Sequence, residues 1–156
     1  MNLPEDEALA RLAVYDHGVL CTIHAERGVD AVPVVYVTDQ NGYVGVPVDR
    51  VKPKSSFRLQ RERNLEADSR ATLLVDHWDR DDWTQLWWVR AELRWQGNDV
   101  AERAEALAED LARRYVQYRE KPFAKVLVLR IVAASGWAAS ALTSDNHDKT
   151  GSELHS

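Results

Sequence analysis

The dipeptide Asn41-Gly42 constrains the fold of this chain more than any other pair of residues. It stands between two runs rich in β-branched and aromatic side chains, A-V-P-V-V-Y-V-T-D before it and Y-V-G-V-P-V-D after it. A tight hairpin turn needs backbone conformations that asparagine and glycine tolerate, so Asn-Gly at such a junction marks an antiparallel hairpin. Residues 31–39 and 43–49 are therefore expected to pair. Pro33 lacks an amide hydrogen, which places part of the first run at a sheet edge or a bulge. Upstream, Val19 to Ala25 is another β-rich run, joined by the turn E-R-G-V-D. Three successive strands with short connections form a meander, not the crossovers of a parallel sheet.

The same pattern continues downstream. Ala71 to Trp78 is a fourth strand with T-L-L-V at its centre, and Thr84 to Gly97 is a long fifth. The fifth alternates: Trp87, Val89, Ala91, Leu93 and Trp95 fall on one face, and Leu86, Trp88, Arg90, Glu92 and Arg94 on the other. The first set is a core face; the second places Trp88 and Arg90 together toward solvent, a subunit or a ligand. Lys125 to Ala134 is a sixth strand, continued by S-G-W-A-A, with a bulge expected at Gly136. Between the strands, helices are predicted after Pro4, over about 55–66, and from Val100 to Arg119 with Asp99 as its cap. A chain of 156 residues with 45% hydrophobic composition suits one domain with its own core. The expected fold is mainly β (α+β): a six-stranded antiparallel barrel with covering helices over residues 1–143, followed by a polar tail over 144–156.

The formal net charge of −5 argues against the broad basic face of a nucleic-acid binder. No apolar run is long enough to cross a bilayer, and M-N-L-P-E-D-E lacks the charged-then-apolar pattern of a signal peptide, so a cytoplasmic protein without membrane partners is expected. Cys21 is the one cysteine and sits in the apolar run V-L-C-T-I. Against this acidic background the segment from Asp49 to Arg70 collects Arg50, Lys52, Lys54, Arg58, Arg61, Arg63 and Arg70. Only Asp49, Glu62, Glu66 and Asp68 oppose them. Two readings stand side by side. The segment is either a solvated helix with salt bridges such as Arg58 to Glu62, or a site for a phosphate.

Several chemistries lack their sequence signals. No serine lies in G-x-S-x-G, and there is no P-loop and no G-x-G-x-x-G. The acidic loop with Asp76, His77, Asp79, Asp81 and Asp82 has neither calcium-loop spacing nor a second histidine, so no metal site is expected. No catalytic residue is assigned. What remains is a small antiparallel barrel with a phosphate-suited basic segment after the third strand and an aromatic-plus-arginine fifth strand, which suits a flat, phosphorylated cofactor.

The segments V-D-R-V-K-P-K, R-L-Q-R-E-R-N-L-E-A-D-S-R-A-T-L-L-V-D-H-W and D-D-W-T-Q-L-W-W-V-R carry a resemblance. The chain resembles the pyridoxamine 5′-phosphate oxidase-like family of flavin-binding split barrels, and within it the actinobacterial branch that uses the deazaflavin coenzyme F420. The likeness covers most of residues 5 to 140. It implies a homodimer with the cofactor in a groove between two barrels. It implies that Lys52 and Lys54, then Arg58 and Arg61, hold the cofactor phosphate. It implies that Pro33, Val34, Val35 and Tyr36 flank the ring system, and that Trp88 and Arg90 approach the cofactor from the partner subunit. Tyr36 is an outside candidate for a proton donor, beside its reading as a packed strand tyrosine. The implied activity is that of an oxidoreductase, moving a hydride between reduced F420 and a small conjugated organic substrate. An FMN-binding reductase or oxidase and a non-catalytic cofactor binder are the alternatives. The chain ends in T-S-D-N-H-D-K-T-G-S-E-L-H-S and lacks the Arg- and Trp-containing motif of pyridoxamine phosphate oxidases, so the resemblance does not extend to vitamin B6 oxidation.

Overall fold

The computed structural model describes residues 1–49 and 59–140. Pro4 and the acids Glu5, Asp6 and Glu7 open helix α1 (Glu5–Val14), whose Ala8 and Leu12 are buried. A meander follows: β1 (His17–His24), β2 (Gly28–Val35), β3 (Val37–Thr38) and β4 (Tyr43–Asp49). Next come α2 (Gln60–Ala67), β5 (Arg70–His77), β6 (Trp87–Trp95), α3 (Ala101–Arg114) and β7 (Phe123–Ala138). All strand pairs are antiparallel, and the sheet order is β2-β1-β5-β6-β7-β4-β3.

The two outermost strands in that order, β2 and β3, are consecutive pieces of one chain segment broken only at Tyr36. β2 pairs with β1 and β3 pairs with β4, so the sheet curls until its ends meet in the same stretch of backbone. This is why seven strands occur where six are expected: the strand predicted over 31–39 bends at Tyr36 and changes partner. Below the bend β2 and β4 part, leaving a seam. Pro33 lies in the β1–β2 ladder and Pro47 in the β4–β7 ladder. A proline survives inside a ladder where its missing N–H falls on the unpaired side, so each proline marks its strand's seam edge as open.

The barrel interior holds Leu12, Leu20, Tyr36, Leu73, Leu93 and Leu129, all essentially inaccessible to water. A second cluster, with Leu107, Leu111, Phe123 and Val126, lies under α3. Gly45 permits this packing: a Cβ there would sit 2.9 Å from Leu107 Cβ. Arg114 of α3 donates to the carbonyls of Ala13, Val14 and Tyr15 at 3.0, 2.8 and 2.7 Å, satisfying the C-terminal end of α1.

Several predicted boundaries move. The bulge in β7 lies at Val132, between the pairs Glu92↔Ala133 and Leu93↔Ile131. Gly136 stays in register, and it is a glycine because a Cβ would approach the Trp88 carbonyl to 2.8 Å. Helix α3 has Val100, not Asp99, at its N-cap and ends at Arg114, before a short 3₁₀ turn at Val116–Tyr118. The fifth predicted strand begins only at Trp87, because Asp82 accepts from Thr84 N and caps a 3₁₀ turn at Trp83–Gln85. Within the described residues α2 starts at Gln60; the rest of the helix predicted from 55 lies outside them. The tail from 144 also lies outside them. No helix among the described residues is long and apolar enough to cross a membrane.

Candidate functional site

The seam between β2 and β4 opens into a cleft of about 310 Å³. Its walls are Pro33, Val34 and Val35 of β2, Pro47 and Asp49 of β4, His17 at the start of β1, Arg61 of α2, and Tyr118. Alternation along β2 sets what each residue offers. Pro33 is exposed and Val35 half-buried on the outer side, while Val34 and Tyr36 are buried toward the core.

Among the described residues Arg61 is the guanidinium that lines this cleft. Helix α2 holds it there through a buried polar anchor. Asn64, three residues on, donates to Thr22 Oγ1 and Asp30 Oδ2, both at 2.9 Å. Glu62, 3% exposed, forms its ion pair with Lys125 at 2.9 Å rather than with Arg61. Arg61 Nη2 donates to the Pro47 carbonyl at 3.4 Å, a long contact, and its Nε is buried with no acceptor. Burial pushes the guanidinium down from its usual pKa, and the negative potential of Glu62, Asp49 and Tyr118 opposes that push. A partly desolvated guanidinium with an unused buried donor is an incomplete anion site, because buried N–H groups are almost always paired. On the other wall, the Tyr118 hydroxyl faces Asp49 Oδ1 at 3.4 Å, and burial, with Asp49 beside it, raises the phenol's pKa.

The structure brings together four of the ten predicted cofactor-contacting residues: Pro33, Val34, Val35 and Arg61. Lys52, Lys54 and Arg58 lie outside the described residues, in the connection between Asp49 and Leu59. Asp49 and Arg61, close to either end of that connection, both line the cleft.

Tyr36 is corrected. Its side chain is fully buried, and its hydroxyl donates to the Leu12 carbonyl at 2.6 Å. Burial drives its pKa strongly upward. It packs the core and offers the cleft no proton. The packing argument wins because alternation turns residue 36 inward once Pro33 and Val35 point out.

Trp88 and Arg90 share the outer face of β6, with the guanidinium 5.6 Å from the indole centroid. In the sheet β1 and β5 separate β6 from β2, so these two side chains are not brought to this chain's own cleft. His17, Pro47 and Tyr118 were not expected at the site. They converge from β1, β4 and the turn after α3, and no local pattern in the sequence signals that convergence. Among the described residues no group of three or more His, Cys, Asp or Glu side chains is placed to hold a metal ion.

No protein-family model and no curated protein matches the chain. Solved structures do. An FAD-binding protein from Mesorhizobium loti superposes with a TM-score of 0.63 at 16% identity, over 87% of this chain and 93% of that one. A conserved hypothetical protein from Mycobacterium tuberculosis gives 0.64 at 21% identity, over 88% and 86%. An FMN-binding protein from Syntrophomonas wolfei subsp. wolfei gives 0.60 at 14% identity, over 86% and 88%. At these identities the likeness is one of fold: a curled antiparallel sheet with three helices, the split barrel shared with flavin-binding proteins.

Proposed function

We propose that the seam cleft binds a phosphorylated flavin-type cofactor, with coenzyme F420 as the preferred ligand, and that the protein is an oxidoreductase acting on a small conjugated organic substrate. The observation that carries the reading is the Arg61 guanidinium, desolvated at the cleft wall with its Nε unpaired. A phosphate would supply the missing acceptor in a charge-assisted hydrogen bond. Lys52, Lys54 and Arg58 would add their charges from the adjoining segment. Pro33, Val35 and Pro47 offer apolar surface for a flat ring, and the open edges of β2 and β4 offer backbone groups. The cofactor supplies the hydride chemistry. The protein's share is to bind the phosphate, orient the ring and keep water off one of its faces.

At about 310 Å³ the cleft is small for such a ligand, and a partner subunit would complete it. Support for a homodimer comes from the outer face of β1 and β2, with Leu74 of β5 at its border. Val19, Cys21, Ile23, Val29, Ala31, Pro33 and Leu74 alternate outward there, with Val29 69% exposed and Leu74 36%. An antiparallel sheet with one solvated face shows polar residues on it, so this apolar face fits burial against a second copy. In such a dimer Trp88 and Arg90 would reach the partner's cleft.

FMN is the second reading, favoured by the flavin ligands named for two of the solved structures. Titrating the purified protein with F420, FMN and FAD, read by tryptophan quenching, decides between them. Tighter binding of FMN reverses the preference, and absence of binding by all three overturns the cofactor site. If F420 binds but its reduced form is not oxidised by a panel of enones and quinones, the protein is a cofactor binder and not a reductase.

A further inference from the structure

We propose that a second cleft, between the last turn of α1 and the rim formed by β5 and β6, binds the carboxylate of a small, flat acid through Arg11. This cleft encloses about 170 Å³, roughly six water molecules' worth at about 30 Å³ each. That is room for one ring and a carboxylate. Arg11, Tyr15, His77, Leu86, Trp87 and Ala138 line it.

The argument rests on how Arg11 is held. Its guanidinium carbon lies 5.2 Å from the Trp87 ring centroid, a cation–π contact that fixes the side chain without using its hydrogen-bond donors. Trp87 is braced in turn by the edge of Tyr15, with centroids 5.2 Å apart at 76°, and by His77 at 6.1 Å and 25°. Arg11 Nη1 is buried with no hydrogen-bond partner, and Arg11 takes part in no ion pair among the described residues. A positive charge is thus held against an aromatic face with no counter-anion in contact among the described residues. The guanidinium fork matches a carboxylate in shape and charge, and shielding from water strengthens that pairing. Thr84, Gln85 and Ser140 complete the lining, and the aromatic rings opposite them offer a flat, unsaturated body a surface to stack on.

The two clefts adjoin. Tyr15 lines this one and His17 the seam cleft, and their rings stack at 5.4 Å and 29°. An acid anchored on Arg11 therefore sits one aromatic pair away from the proposed cofactor. Its role as substrate rests on that cofactor reading, whereas the acid site itself does not.

The test uses the full chain without cofactor and takes benzoate as the probe, with benzamide as its uncharged counterpart. Binding is read by calorimetry and by tryptophan fluorescence. Benzoate should bind saturably and benzamide weaker by roughly tenfold or more, since the amide forfeits the charge-assisted pair. Arg11→Gln should lose benzoate binding by a similar factor, and Arg11→Lys should recover part of it. Equal binding of acid and amide by the unaltered chain overturns the site, even if the variants fail to fold. So does unchanged benzoate affinity in a folded Arg11→Gln protein. Because no cofactor is present, failure of the flavin titration leaves this outcome unaffected.

Discussion

The side-chain amide of Asn64 lies 2.9 Å from the hydroxyl of Thr22, and the two residues are 3% and 2% exposed. This polar pair fastens α2 to β1 across 42 positions of sequence. Gln60 Nε2 and Asp30 Oδ2 complete the bonding of the Asn64 amide, each at 2.9 Å. The pair does not touch the cleft, yet it seats the helix that carries Arg61.

Asn64→Ala therefore has two expected effects. Thr22 and Asp30 lose a buried donor, which should lower stability by about 1–3 kcal/mol. Cofactor affinity should also fall, because α2 no longer seats Arg61 firmly. Denaturant unfolding and ligand titration measure the two. A stability loss with unaltered affinity would separate the anchor from the site.

Arg61→Gln tests the phosphate contact directly. A hydrogen bond to a charged group contributes about 1.5–3 kcal/mol, so affinity for a phosphorylated cofactor should drop about 10- to 150-fold. The dephosphorylated form of the same cofactor should bind both proteins alike. Lys52→Ala combined with Lys54→Ala should weaken binding in the same phosphate-dependent way. Equal losses for phosphorylated and dephosphorylated ligands would place the phosphate elsewhere.

Tyr36→Phe removes the hydroxyl that donates to Leu12 O. The buried carbonyl left unpaired should cost about 1–3 kcal/mol of stability, with turnover per folded molecule unchanged. The phenol also shapes the alkaline limb of stability. Its folded pKa is raised by burial, so in the unfolded chain it loses its proton first, near pH 10. The unfolded state then binds fewer protons, and stability falls as pH rises above about 10. Tyr115 and Tyr118 shift the same way. In Tyr36→Phe that decline should be shallower. A collapse of activity in a folded variant would restore the tyrosine as a proton donor.

Leu74→Glu addresses assembly. Leu74 pairs with Val19 on one side and Arg90 on the other, at the border of the outward apolar face. A carboxylate there is tolerated by a solvated monomer but costly in a dry interface. Light scattering should show a dimer for the parent at micromolar concentration and a monomer for the variant, with weaker cofactor binding. A monomeric parent would remove the shared-groove arrangement.

Local physics made much of the fold legible. Asn41-Gly42 announced its hairpin, and Gly42 adopts φ +85° there. The alternation along residues 87–95 foretold its faces, with Val89, Ala91 and Leu93 buried and Arg90 and Glu92 exposed. Period-2 patterning is a property of consecutive residues, so the chain reports it directly. The bend at Tyr36 was not legible. That run is continuously β-forming, and only the need to pair with β1 below and β4 above divides it.

The site divides along the same line. The sequence by itself determined that a basic segment follows the third strand and that Pro33 sits on an open edge. Both are statements about neighbours along the chain. Tertiary structure decided, among the described residues, that Arg61 is short of an acceptor. Glu62 turns to Lys125, Arg70 is taken by Asp68 at 2.7 Å, and Arg61 keeps an unpaired donor at the seam. It decided likewise that Arg11 is pinned over Trp87, 76 positions away, with no ion-pair partner among the described residues. Pairing and desolvation depend on what packs from distant elements, and no window of the sequence contains those partners.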